Sequence, residues 1–498
     1  MRRPLPLLLF LVAACAASGT SSLPAPAASP VAALRSSIDS MVDDTKFRNA
    51  HWGILIVDPS TGDTLYSRNA GKLFMPASNQ KLITGAVGLA QLGPDFRFRT
   101  TFVGRGPVRD GVLDGDLAVV GRGDPTISDN VMGQALRGLL AFADSLAARG
   151  IRRVEGKLVS AGNAFPDAPL GFGWSWDNLD YAYSAGVDEL FLNEGYATIR
   201  VRAGPQAGDT PTYMVSPARG YPAVTMLAKS IVNVAVNKGP NLQWESDASG
   251  NMVRISGDIA VNDTARIQVA YRDPAGAYLT ALREALAMRG IEVRDGVRPA
   301  TADDTLFTSR SIPLAEILVV MQKPSQNQLA EIIFKTLGLE KTGIGTADSG
   351  RRVVERQLRD WGADTAGAAV RDGSGLSRHD YVTPETIVKV LEAMRRAQTF
   401  AVYYNSLPIA GVDGTIRSRM KGTPAENNLR AKTGFVDKAR SLSGYVTTAD
   451  GRLLMFSALG NNWTVPVREV ERVQDAIGAR LAALRLPPAR GPVATAPR

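Results

Sequence analysis

The sequence predicts an α+β fold in which one antiparallel sheet is assembled from both ends of the chain, with a helical lobe against it and a large strand-rich insert between. Three observations predict it. A strand pair and an apolar helix stand near the start, three strands and an amphipathic helix stand at the end, and a long middle stretch consists of short strand-like runs broken by Gly, Asp and Pro. At 498 residues the chain is long for one domain, which agrees with an insertion.

Taken in order, Arg2 and Arg3 precede an apolar run from Leu5 to Val12 and then small residues, the pattern of an export signal. The run is too short to span a bilayer. Residues 18–30, rich in Ser, Ala and Pro, read as a flexible tether, so 1–30 stand apart from the fold. Residues 52–57 and 64–67 read as strands around the turn at 59–63. A helix follows, with Leu82, Ala86, Leu89 and Leu92 at helical spacing. Residues 95–273 are expected to form the insert, with a subdomain nested at 107–180, one helix at 132–149 and an aromatic loop at 171–177. Residues 31–94 and 274–486 are expected to form the main domain. Its helical stretches are 278–289, 314–321, 328–337, 349–361 and 384–396, and its closing strands are 429–433, 441–448 and 453–459. A last helix at 467–484 places Val467, Val470, Val473, Ile477 and Leu481 on one face. The Pro-rich end, 487–498, is expected to be disordered.

The stretch with chemistry in it is Ser78-Asn79-Gln80-Lys81. Pro76 and the small residues after it suit a turn into the helix, and residues three apart on a helix share a face, so the Lys81 amine stands beside the Ser78 hydroxyl. A lysine can take that proton only if its pKa falls from ~10.4 by roughly 3 units, about 4 kcal/mol. Burial and a second cation both push it down. By itself the pattern also describes an N-capping serine with a solvated lysine. Ser418 and Lys421 have the same spacing with no apolar helix after them, and read as surface.

The second cation is available in Ala431-Lys432-Thr433-Gly434, on an expected strand. Gly434 would leave room for a substrate backbone, and Lys432 would hold a carboxylate while depressing Lys81. Pro324 ends one helix, so Ser325 and Asn327 fall on a short connection to the next. Ser325 can relay a proton, Asn327 can hold Lys81 or a substrate amide, and the N–H groups of Ser78 and Phe435 can receive an oxyanion, roughly 3 to 4 kcal/mol each in comparable sites.

Net charge is +9, which favours anionic partners; no Lys/Arg run with interleaved aromatics points to nucleic acid. His51 and His379 are the two histidines, so neither a zinc cluster nor a Ser-His-Asp triad is expected, and no metal or cofactor is expected at all. The single cysteine is Cys15.

With those residues in place, the chain resembles the penicillin-recognising serine enzymes, whose motifs are Ser-x-x-Lys, Ser-x-Asn and Lys-Thr-Gly. Copies elsewhere are set aside by context: Ser128-Asp129-Asn130 and Ser249-Gly250-Asn251 fall in the insert, and Lys341-Thr342-Gly343 follows a helix end. The long insert between the first two motifs resembles the class C low-molecular-mass penicillin-binding proteins, D-Ala-D-Ala carboxypeptidases that are also DD-endopeptidases. Similar stretches include 74–77, 121–126, 372–378 and 411–415. The resemblance implies the serine transpeptidase/β-lactamase-like fold, peptidoglycan stem peptides as substrate, an acyl-serine intermediate and acylation by β-lactam antibiotics. It assigns catalysis to Ser78, Lys81, Ser325, Asn327 and Lys432, and substrate binding to Thr433, Gly434, Phe435 and Arg378. Leu11 to Cys15 resembles the lipobox of bacterial lipoproteins, in which the cysteine is lipidated and would hold the protein at a membrane in the periplasm; the alternative is an ordinary signal peptide cut nearby, with the cysteine discarded. A homodimer is a further expectation.

Three departures stand out. Gln326 replaces the usual Asp of the second motif, Phe435 replaces a small hydroxyl residue, and Ala161-Gly162-Asn163 stands where acidic residues of the insert are expected. Two alternatives remain: a β-lactamase or esterase on the same scaffold, and a non-catalytic wall-binding protein.

Overall fold

The structure, a computed structural model, describes residues 29–232 and 240–487. The export signal, Cys15 and nearly all of the tether and of the expected tail lie outside the described residues.

Strands His51–Asp58 and Asp63–Arg68 from the start of the chain join Arg430–Val436, Ala439–Thr447 and Leu453–Asn461 from its end in one five-stranded antiparallel sheet. His51–Asp58 pairs with Leu453–Asn461, with Ile54 opposite Ala458. Alternation along the strands feeds two cores. Ile54, Ile56, Leu442 and Phe456 face a layer containing Ile38, Val470 and Ile477, from helices Pro30–Val42 and Val467–Ala483. Leu55, Tyr445, Met455 and Leu459 face the helical lobe, with Ile83, Leu318, Ile333 and Leu391. The helix Pro30–Val42 was not anticipated, although Ser29 caps it, Pro30 opens it and Leu34, Ile38 and Val42 recur every four residues.

The insert holds two bodies. In the first, a sheet of Arg99–Arg105, Asp116–Val120, Leu158–Ser160 and Asp304–Arg310 packs with helices Ala135–Ala147 and Pro274–Met288. The expected boundary at 273/274 is therefore corrected: Tyr278, Leu282 and Leu286 pack with Leu139, Phe142 and Leu146, and Asp304–Arg310 pairs with Arg99–Arg105, so 274–310 belong with the insert. An amphipathic pattern shows that a helix has a buried face, not what covers it. The nested body is also elsewhere, at 196–270 rather than 107–180. There strand Tyr196–Arg202 lies between Thr212–Ser216 and Thr264–Ala270, over a core of Ile199, Val201, Val253, Ile255 and Ile267. The expected helix at 132–149 is interrupted at Gly133, whose φ of +74° ends Asp129–Met132 before Ala135–Ala147 begins. The chain leaves and re-enters the main domain side by side, with Ser311 N donating to Phe98 O at 3.0 Å and Leu314 N to Phe96 O at 2.8 Å.

Candidate active site

Ala77, Ser78 and Asn79 form a 3₁₀ turn that runs into helix Gln80–Leu92 at the junction of sheet and helical lobe. The turn is tied to strand Arg430–Val436: Asn79 Nδ2 donates to Lys432 O at 2.7 Å, and Ser441 Oγ donates to Pro76 O at 2.7 Å. A Cβ at Gly434 would stand 2.6 Å from Pro76 O and 2.8 Å from Ser78 N. The lack of a side chain at Gly434 is thus required by the serine turn that packs against it, and Gly434 also lines the cleft.

Lys81 is fully buried, and its Nζ lies 2.8 Å from Ser78 Oγ, 2.6 Å from Asn327 Oδ1 and 2.8 Å from Ser374 O. Asn327 Nδ2 donates to Tyr183 O at 2.7 Å, which fixes the orientation of that amide. Asn327 Oδ1 and Ser374 O can only accept. A neutral amine has two N–H groups and one lone pair, so two acceptors leave the lone pair for the Ser78 O–H. Burial lowers the Lys81 pKa to about 7, against the pull of Asp372, Glu331 and Asp380.

Lys432 is also fully buried, with Nζ 2.7 Å from Ser325 Oγ and 2.9 Å from Thr433 O. Its amine is held well below the usual lysine value by burial first, then by Lys81 and Arg440. Burial is therefore the main cause of the lowered pKa at both amines, and Lys81 and Lys432 oppose each other's protonation. Ser325 sits in the left-handed region, φ +69°, between helices Leu314–Gln322 and Asn327–Thr342, a conformation that costs a serine energy.

A cleft of about 800 Å³ opens above the two lysines, lined by Ser78, Ser325, Asn327, Thr433, Gly434, Phe435 and Arg378. Every residue proposed from sequence within the described chain is therefore at one place. Thr433 Oγ1 donates to Thr415 Oγ1 at 2.7 Å, Arg378 Nη1 donates to Asp437 O at 3.0 Å, and Phe435 stands half exposed at the rim. Ala161-Gly162-Asn163 does not line the cleft, because Gly162 backs onto Glu189. The insert's carboxylate on the cleft wall is Asp177, from the aromatic loop.

The departure at Gln326 has a partner. Its amide donates to the buried Glu194 carboxylate, which also receives Asn130 Nδ2 at 2.7 Å and Ser128 Oγ at 3.3 Å. Ser128-Asp129-Asn130 thus joins the insert to the second motif without entering the cleft, and an Asp at 326 would face a like charge there. Ser249 closes a turn on Asp247, Gly343 ends a helix at φ +79°, and Ser418 and Lys421 are exposed.

Sequence reasoning missed the carboxylates beneath Lys81. Glu331, one turn after Asn327, accepts Ser374 N at 2.8 Å and Gly373 N at 3.1 Å. Asp372 accepts Gly375 N at 2.6 Å and Ser377 N at 2.7 Å. Together they shape the loop whose Ser374 carbonyl meets Lys81. Burial, then Asp372, holds the carboxyls of Glu331 and Asp380 well above the usual range. The Asp-Gly-Ser-Gly run at 372–375 was a readable signal for an Asx turn; its placement under Lys81 was not.

Comparison with known proteins agrees with this geometry. A D-alanyl-D-alanine carboxypeptidase of an Actinomadura species is 36% identical over 90% of this chain and 84% of its own length. A Haemophilus influenzae D-alanyl-D-alanine carboxypeptidase is 27% identical over 80% of this chain and 82% of its own. Penicillin binding protein 4 of Haemophilus influenzae superposes with a TM-score of 0.75 at 23% identity, covering 89% of this chain and 99% of that one, and so shares the fold. The profile of the D-Ala-D-Ala carboxypeptidase 3 (S13) family matches residues 34–484, and the chain belongs to that family.

Proposed function

We propose that the chain is a serine-type D-Ala-D-Ala carboxypeptidase, and also a DD-endopeptidase, acting on peptidoglycan stem peptides. The observation that carries this reading is a buried amine with two acceptors on its N–H groups and a serine hydroxyl at its third position. Ser78 Oγ attacks the carbonyl of the penultimate D-Ala while its proton passes to Lys81 Nζ. The negative charge that develops on the carbonyl oxygen is received by the N–H groups of Ser78 and Phe435. The proton taken up by Lys81 is passed on through Ser325 and Lys432 to the leaving D-Ala amine, which returns Lys81 to its neutral form. Cleavage of that C–N bond leaves an acyl-serine, and water attacks it with its proton taken by Lys81, which restores the hydroxyl. A β-lactam enters the same sequence through its strained amide and remains attached as the acyl group.

Membership of the S13 family and the 36% identity to a named D-alanyl-D-alanine carboxypeptidase support this reading. A β-lactamase would need a deacylating carboxylate facing the acyl group. Glu331, Asp372 and Asp380, the carboxylates that act on Lys81, are buried and accept backbone N–H groups instead. A wall-binding protein without catalysis would have no use for a neutral lysine under Ser78. Arg378, on the cleft wall, is assigned to a substrate carboxylate. Export, with Cys15 as a lipid attachment point, completes the proposal, and mass spectrometry of the mature N-terminus tests that part.

The test of the activity is labelling with a fluorescent penicillin together with release of D-Ala from a synthetic peptide ending in D-Ala-D-Ala. Wild type labels and cleaves, and Ser78→Ala does neither. Absence of label on wild type, or equal label on Ser78→Ala, refutes the acyl-enzyme; rapid penicillin turnover without peptide cleavage favours the lactamase.

A further inference from the structure

The cleft does not end at its rim. Tyr183, whose carbonyl receives Asn327 Nδ2, also lines a second cavity of about 350 Å³ on the insert. There the rings of Tyr181 and Tyr183 stack with centroids 5.4 Å apart and planes within 9°, and Trp244 meets Tyr181 edge-on at 5.7 Å. Arg266 and Gln268 supply the polar side of that cavity. Arg266 in turn lines a third cavity, of about 630 Å³, that continues over Arg200, Arg202 and Tyr213.

The third cavity is formed by the outer face of strand Tyr196–Arg202 and its neighbours. Arg200 stands directly opposite Arg266 in the ladder, and Arg202 is two residues along the same face. Like charges placed opposite each other destabilise a sheet. All three arginines are exposed, and among the described residues none of them pairs with a carboxylate; Arg266 Nη2 donates only to Thr198 Oγ1, at 3.3 Å. The fold gains nothing from this arrangement, whereas an anionic ligand would.

We propose that the insert carries a track for the peptidoglycan strand: the Tyr181–Tyr183–Trp244 cavity takes a sugar ring of the glycan, and the Arg200–Arg202–Arg266 face takes carboxylates of neighbouring stem peptides on the same strand. This rests on the peptidase reading above. A stem peptide places four residues between the scissile carbonyl and the sugar that bears it, roughly 14 Å when extended, so a substrate seated at Ser78 presents its sugar outside the cleft. A pyranose has an apolar face for aromatic rings and an edge of hydroxyl and acetamido groups for Gln268 and Arg266. Repeating carboxylates match an arginine row on a chain of net charge +9.

The experiment uses the full chain, the variants Trp244→Ala and Arg200→Glu/Arg202→Glu, and three probes: a fluorescent penicillin, a sugar-free pentapeptide ending in D-Ala-D-Ala, and uncrosslinked glycan strands bearing that pentapeptide. Both variants are expected within twofold of wild type on penicillin and free peptide, which also shows that they fold. On strands, kcat/KM is expected to fall about tenfold in each, and only the loss in the charge-reversal variant shrinks as salt is raised. Strand cleavage equal to wild type, or equal losses on free peptide and strands, overturns the track while leaving the peptidase standing. Wild type inert towards penicillin and free peptide overturns both.

Discussion

The acid limb of acylation follows from the surroundings of Lys81. Its amine must be neutral to take the Ser78 proton, and burial lowers its pKa from 10.5 to about 7. At pH 7 about half of the molecules are then competent, against roughly 0.03% for a lysine at its ordinary value, a difference of about a thousandfold or more. At pH 5 the competent fraction falls to about 1%, and above pH 8 it is nearly complete. The second-order rate of labelling by a fluorescent penicillin, measured by stopped flow from pH 5 to 10, is therefore expected to rise about tenfold per unit below pH 6.5 and to level off near pH 8. A rate that keeps climbing tenfold per unit to pH 10 would mean an ordinary, solvated lysine. A rate that is flat down to pH 5 would mean that Lys81 does not take the proton. Either result refutes the reasoning, because both contradict a desolvated amine whose N–H groups are committed to Asn327 and Ser374.

Three other perturbations test the supporting groups. Glu331→Gln keeps an acceptor for Gly373 N and Ser374 N and is neutral, as Glu331 itself is below its raised pKa of about 8, so the acid limb of the labelling profile should keep its midpoint. The same change tests stability: the Glu331 pKa is raised in the folded state, so folded protein binds the extra proton and wild-type stability falls as pH rises above about 4.5. The melting temperature of Glu331→Gln relative to wild type should therefore be higher at pH 9 than at pH 5. Gly434→Ala sets a methyl 2.8 Å from Ser78 N, and should cost about 1–3 kcal/mol of stability while reducing labelling at least about a hundredfold. Gln326→Asp places a carboxylate against Glu194 and should destabilise the protein by about 1–3 kcal/mol in thermal melts, with Glu194→Gln restoring most of the loss.

Several features were readable because they depend on local chemistry. Strand alternation at 52–57 and 453–459, the helical repeat after Ser78 and the break at Pro324 each follow from neighbours within a few residues. Pairing of the two chain ends could be inferred because a two-stranded hairpin alone cannot bury its face. The helix Pro30–Val42 was readable from its cap and repeat, but the stretch between the tether and the first strand was placed in the main domain with no element assigned to it. The boundary after 273 failed because Pro274–Met288 has the same apolar pattern whichever core receives it.

Within the site, spacing alone determined that Ser78 and Lys81 share a face, that Ser325 and Asn327 flank a helix start, and that Lys432 lies on a strand. Only the tertiary structure decided the state of those groups. The pKa of Lys81 is set by removal of water and by Glu331, Asp372 and Asp380 lying 250 to 299 residues away in sequence, and Gln326 has meaning only beside Glu194, 132 residues before it. A motif carries the identity of its atoms, whereas solvation and long-range charge are properties of what the rest of the chain packs around them.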